Sequence, residues 1–372
     1  MDGITGNKLD LAKPLVALVR WLAPFRCSFR WASFRCSLAM LALVGSLLSS
    51  LAMGGDGQRE FNAPDADRPL NNFDKFDLPG PHRFEPLFGV DIGGLALKRS
   101  GPDAFPLLYT DSAELVETSD QIDPEMKLGA RISVTLFNLS RYAPGFDCDL
   151  VFLSVDDTVA ETRFDAGNYT TTNLNPLFYG GSPLSPDPSY TMFLDSDLDS
   201  AEWMIGYRPI QRIRLTAGLR WFRLNETFDV IETASLATTT RSGFFSSASN
   251  KAFGFQVGGE ATLWTNGRSR LYARGKYAAL NNEVRGSAVA LNTSFAYEGE
   301  TDSSLFDVEL GGSIWLCSWA SLQLAYQGLW LEDAVGALEQ SNRQSFFDTA
   351  TQKPAFHDLN WNGLNFGFSM VW

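Results

Sequence analysis

The sequence predicts an all-β protein, an up-and-down antiparallel transmembrane β-barrel of about 10 strands, with 8 or 12 left open. Three observations predict it. Stretch after stretch alternates apolar with polar residues at the period of two that strand side chains follow, most cleanly in the last, Gly363 to Trp372. The connections between stretches are alternately short and long, as they are when one end of a barrel carries turns and the other carries loops. Composition agrees, because 45% hydrophobic residues with a slightly negative mean hydropathy is too polar for a helical membrane bundle but fits a cylinder that is apolar only outside. Phe 28, Trp 10, Tyr 10 and Gly 32 suit strands with aromatic girdles. Length alone, 372 residues, allows either several domains or one large all-β domain.

The first 52 residues read as an export signal peptide. Lys8, Lys13, Arg20, Arg26, Arg30 and Arg35 precede an apolar core from Leu38 to Leu48, and Ser50 and Ala52 sit three and one residues before a cut at Met53. That core is short for a spanning helix, which needs roughly 20 residues. Residues 53–86, rich in Asp, Asn, Pro and Gly without periodicity, read as a disordered periplasmic linker, and residues 87–372 as the barrel. Cys27 and Cys36 leave with the signal, so Cys148 and Cys317 remain, expected on strands that are not neighbours and hence as unpaired thiols. Removing the six basic and two acidic residues of 1–52 from 30 Lys and Arg and 43 Asp and Glu leaves 24 against 41. Nucleic acid is therefore not an expected partner.

The strands follow in order. Leu87 to Lys98 is Gly-rich and its faces are blurred. In Lys127 to Phe137, Leu128, Ala130, Ile132, Val134 and Leu136 oppose Lys127, Gly129, Arg131, Ser133 and Thr135. Phe146 to Val155 is apolar on both faces and its facing stays open. Asp197 to Arg208 puts Trp203, Ile205 and Tyr207 outside. A tight turn leads to Arg212 to Thr227, where Ile213, Leu215, Ala217, Leu219 and Trp221 oppose Arg212, Arg214, Thr216, Gly218 and Arg220. Lys251 to Trp264 and Arg270 to Asn282 are joined through Asn266-Gly267, a strong hairpin signal. Leu305 to Leu316 and Ser321 to Leu331 precede the closing strand, in which Leu364, Phe366, Phe368, Met370 and Trp372 share one side. The segments Asp157 to Thr191, Thr233 to Ser249, Glu283 to Ser303 and Glu332 to Asn362 read as long polar loops. Backbone groups find no water in a bilayer, so the first and last strands must pair.

The polar faces collect Arg131, Glu202, Arg208, Arg212, Arg214, Arg220, Glu226, Gln256, Glu260, Arg270, Arg274, Lys276, Asp307, Glu309 and Gln327. Charges on the lipid side would each cost about 2–4 kcal/mol near the midplane, so these residues are expected to line the lumen, with Glu260 opposite Arg274. Two roles fit. One is a charged eyelet that selects solutes; the other is a network that fills a narrow barrel. Asp195, Asp197 and Asp199 could hold Ca²⁺ in a loop, but the glycine an EF-hand needs is missing. No catalytic, metal-ligand or phosphate-cradling motif stands out, and no cofactor is expected. His357-Asp358 with Asp156-Asp157 loosely resembles the acid and His pairs of outer-membrane aspartyl-type proteases, without a nucleophile motif beside it.

The segments IRLTAGLRWFRLNETFDV (213–230), FGFQVGGEATL (253–263), RLYARGKYAALNN (270–282), LAYQGLWLEDAVGALEQ (324–340) and GLNFGFSMVW (363–372) resemble a bacterial family of porin-like outer-membrane β-barrels. The resemblance runs from about residue 87 to the end and implies the fold rather than the cargo. The final strand resembles the closing strands of such barrels, which implies the barrel-assembly machinery as a partner recognising the end at Trp372. The resulting expectation is a cell outer-membrane protein with both termini periplasmic, in contact with lipid and lipopolysaccharide, passing small hydrophilic solutes by passive diffusion. The alternative is a closed barrel with a structural or adhesive surface role and little conduction.

Overall fold

The computed structural model describes residues 87–372, apart from 102–103, 105, 111–114, 138, 140–144, 157–159, 166–171, 175–188, 211, 234–242, 291–292, 342–353 and 355. The expected signal (1–52) and linker (53–86) lie outside the described residues. In chain order the strands are β1 (Phe88–Arg99), β2 (Pro106–Thr110), β3 (Leu115–Thr118), β4 (Lys127–Leu136), β5 (Phe146–Val155), β6 (Ala160–Asp165), β7 (Thr172–Leu174), β8 (Ser189–Ile210), β9 (Ile213–Thr233), β10 (Gly243–Asn266), β11 (Ser269–Ala290), β12 (Thr293–Cys317), β13 (Ala320–Ala334) and β14 (His357–Val371). The sheet runs β5, β4, β1, β14, β13, β12, β11, β10, β9, β8, and a β5–β8 pairing closes it into an antiparallel cylinder of ten strands. After a break, β6 carries the line of β5 further along β8. β2, β3 and β7 form a small separate sheet.

Closure falls where the expectation required it. β1 pairs with β14 from Gly89↔Val371 to Arg99↔Trp361, and Phe88 stacks on Trp372 with ring centroids 4.9 Å apart. Close approach of the two backbones explains one glycine at this seam, since a Cβ on Gly363 would lie 1.8 Å from the Ala96 carbonyl oxygen. The Asn266-Gly267 turn is as read: Gly267 takes φ +52 and Asn266 pairs with Ser269.

Several strands are longer than the sequence suggested, and the reason is chemical. On β9 the even residues face inward from Arg214 to Val230. Up to Trp221 they are Arg214, Thr216, Gly218 and Arg220, and the outward set is apolar. Past Trp221 the inward residues become Phe222, Leu224, Phe228 and Val230, while Arg223, Asn225, Thr227 and Asp229 face out. β11 changes the same way, from Arg274 and Lys276 to Ala278, Leu280, Val284 and Ala288 inside, with Asn281, Glu283 and Arg285 outside. Residues 233, 243–249, 283–290 and 293–303, expected within loops, are therefore strand above the lipid-facing belt, where water replaces lipid outside. Asp195, Asp197 and Asp199 likewise belong to β8, on its outer face, and not to a loop.

The lumen is filled. Above the charged residues lies a layer that includes Leu95, Leu97, Phe222, Leu224, Leu280, Leu305, Leu329, Leu331 and Trp361, none more than 3% exposed. Each such Leu or Phe contributes roughly 1.5–3 kcal/mol by leaving water. Beyond it the chain after β13 folds back inside. A break in the β13–β14 register, with Asp333 at φ 54, turns it inward, a left-handed conformation that short polar side chains tolerate. Val335, Ala337 and Leu338 are then fully buried among Met192, Leu194, Phe228 and Phe244.

Candidate functional site

The charged half of the lumen is built by strand alternation. Each charged inward position in the belt would be stranded in hydrocarbon if its strand slipped by one residue. Three acids organise this half, Glu202 on β8 and Asp307 and Glu309 on β12, with three strands between them around the wall. Glu202 accepts from Lys276 Nζ at 2.7 Å and Gln256 Nε2 at 3.1 Å. Asp307 accepts from Arg220 Nη1 at 3.2 Å and Gln327 Nε2 at 2.9 Å. Glu309 accepts from Arg131 Nη1 at 2.8 Å and the Tyr272 hydroxyl at 2.6 Å. Arg220 ties the first two together, lying 3.6 Å from Glu202 and donating to Ser200 Oγ at 3.1 Å. Arg274 joins Glu309 to Glu260, which also holds Arg270. The expected Glu260↔Arg274 register is present.

Thirteen of the fifteen residues expected to line the lumen thus face it in the charged half. The other two sit elsewhere. Arg212 is exposed at the β8–β9 turn, because the strand begins one residue later. Glu226 lies above the apolar layer, where Arg99 Nε reaches its Oε1 at 2.7 Å and Arg99 Nη2 reaches Glu339 at 2.9 Å. Ser196 Oγ and the Ala337 N–H also donate to Glu226. Asn250 clamps the infolded segment by donating to the Val335 carbonyl at 2.7 Å and accepting from its N–H at 2.9 Å.

Sequence reasoning missed Asp91, Asp147, Asp149, Arg99 and Glu339. Asp147 and Asp149 face inward on β5, where they bind Arg208 and Arg214. Both faces of that strand carry apolar side chains, so periodicity was silent. The aspartates themselves held the answer, since two carboxylates at i and i+2 in a lipid-spanning strand can only point inward. At the turn end these groups surround a cavity of about 210 Å³ lined by Asp91, Arg131, Arg208, Arg214, Arg270 and Arg274, with Arg212 at its edge.

The remaining sequence candidates are not drawn together. His357 opens β14 opposite Ala334, and Asp156 follows β5; β1 and β4 lie between those strands, and Asp157 lies outside the described residues. Cys148 and Cys317 are free thiols. Among the described residues no group of three His, Cys, Asp or Glu is placed to hold a metal ion.

A closed cylinder that is greasy outside and charged within is a β-barrel of the outer-membrane type. The sequence matches no family model and no curated protein. Solved structures similar to it include the outer membrane protease OmpT of Escherichia coli, at 8% identity and TM-score 0.43 over 77% of this chain and 96% of that one. The toluene transporter TbuX of Ralstonia pickettii is 8% identical, with TM-score 0.30 over 77% and 74%. A FadL homologue of Pseudomonas aeruginosa is 11% identical, with TM-score 0.27 over 77% and 89%.

Proposed function

We propose that the protein is an outer-membrane barrel with a sealed lumen, a surface-exposed platform rather than a pore. One observation carries this reading: the apolar layer from Leu95 to Trp361 is made by the wall strands themselves, so displacing a loop does not open it. Passive diffusion of hydrophilic solutes would need water to cross that layer. The charge network below it then balances buried acids with arginines across the barrel, holding the strands in register. In this reading the turns and both termini face the periplasm, residues 1–52 direct export, and the assembly machinery recognises the strand ending at Trp372. The loop end, raised above the lipid by the extended strands, presents the connections that follow β1, β5, β9 and β13 for a structural or adhesive role. Hydrolysis is not part of this reading, which leaves His357 on β14 and Asp156 after β5 without a shared role. Planar-bilayer recording of the refolded mature protein tests the seal. Silence at all voltages is expected, whereas unitary steps that change in Arg220→Ala or Arg274→Ala would establish the pore instead. Peptide cleavage lost in His357→Ala would establish a hydrolase.

A further inference from the structure

On the outer wall, directly above the apolar belt, two cations face each other across neighbouring strands. Arg223 of β9 is the register partner of Lys251 of β10. Each lies two residues from an outward aromatic at the belt's edge, Arg223 after Trp221 and Lys251 before Phe253, and both rings are exposed. Like charges directly opposite each other destabilise a strand pair, and this pair is only half relieved within the chain. Arg223 is bound by Asp199 on its far side, its guanidinium lying 5.9 Å from the Trp221 ring centroid. Lys251 is exposed and has no ion-pair or hydrogen-bond partner among the described residues, although Glu283 is its register neighbour on β11. One step higher, Ser249 Oγ donates to Asn225 Oδ1 at 2.8 Å, adding neutral polar groups beside the cations.

We propose that Arg223 and Lys251 form a binding site for the phosphate of a lipid headgroup in the leaflet on the loop side. The site has the parts such a ligand needs: Trp221 and Phe253 beside the acyl chains, a guanidinium and an ammonium at the level where the headgroup begins, and polar groups above. A phosphate oxygen between the two cations turns their mutual repulsion into shared attraction. The inference rests on the membrane placement and is independent of whether the lumen conducts.

The test is native mass spectrometry of the refolded protein in non-ionic detergent, titrated with a phosphate-monoester lipid. One lipid is expected to be retained preferentially. Arg223→Ala and Lys251→Ala should each weaken its binding about tenfold, the scale of one charge-assisted hydrogen bond, and the double variant should abolish the preference. Arg285→Ala, higher on the wall and paired with Glu298, should bind as the parent does. Excess inorganic phosphate should not displace the lipid; displacement would assign the site to free phosphate and overturn the proposal. Parent-like affinity in the double variant would overturn it too. All three side chains point away from the lumen, so folding is checked separately by the heat-dependent gel shift of the barrel. A protein that stayed monodisperse without detergent would fail the membrane placement itself, a different outcome from failure of the site.

Discussion

Replacing Arg220 with alanine distinguishes a dry lumen from a wet one. Arg220 is 1% exposed and its guanidinium meets Asp307 at 3.2 Å, Glu202 at 3.6 Å and Ser200 at 3.1 Å. At an effective dielectric of about 20, unit charges at such separations attract by roughly 5 kcal/mol, and desolvation offsets much of that. Removing the arginine leaves Asp307 with the Gln327 amide at 2.9 Å and Lys276 at 3.9 Å. Deleting one partner of a buried pair costs about 3–5 kcal/mol, whereas the same deletion at a hydrated surface costs about 0–1 kcal/mol. Reversible urea unfolding of the refolded barrel in lipid micelles, followed by tryptophan fluorescence, measures the difference. A loss above about 3 kcal/mol supports a sealed interior, and a loss under about 1 kcal/mol would refute it by showing that water screens the network.

Other expectations follow from the same contacts. Arg99→Ala leaves the carboxylates of Glu226 and Glu339 facing each other without their cation, so the infolded segment should loosen, and cleavage of the folded barrel after Glu339 by a glutamate-specific protease should rise at least tenfold. Unchanged resistance would show that Asn250 alone holds the segment. Gly363→Ala must push a methyl toward the Ala96 carbonyl and is expected to cost about 1–3 kcal/mol, read as a lower temperature for the gel-mobility transition. Cys317 is exposed at the β12–β13 turn, so a membrane-impermeant maleimide should label it in cells only after the outer membrane is opened. Labelling of intact cells would invert the proposed orientation.

The ten strands, their antiparallel order and the inward set in the belt were legible because lipid enforces alternation: a residue such as Arg274 or Phe255 has one tolerable side. What lay above the belt was harder to read. Phe244, Ala248, Val284 and Ala288 alternate with serines and charges much as a soluble strand does, in segments whose Ser, Thr and Gly content suggested loops. Arg99 and Glu339 escaped notice because their pairing joins residues 240 positions apart, and nothing local in either segment marks it. Glu226 had the right facing but the wrong neighbours, since alternation reveals the side of a residue and not its height along the axis.

The exchange of inside and outside chemistry near Trp221 and Phe253 has a mechanical consequence. A cylinder whose two ends prefer opposite surroundings is a float with its waterline fixed by covalent sequence. Sinking by two residues along the strands would bring Arg223 and Lys251 into hydrocarbon, at about 2–4 kcal/mol each were they to reach the midplane; rising by two would lift aromatic rings into water. The molecule therefore gauges the thickness and height of the bilayer around it, and a thinner membrane would have to stretch to meet it.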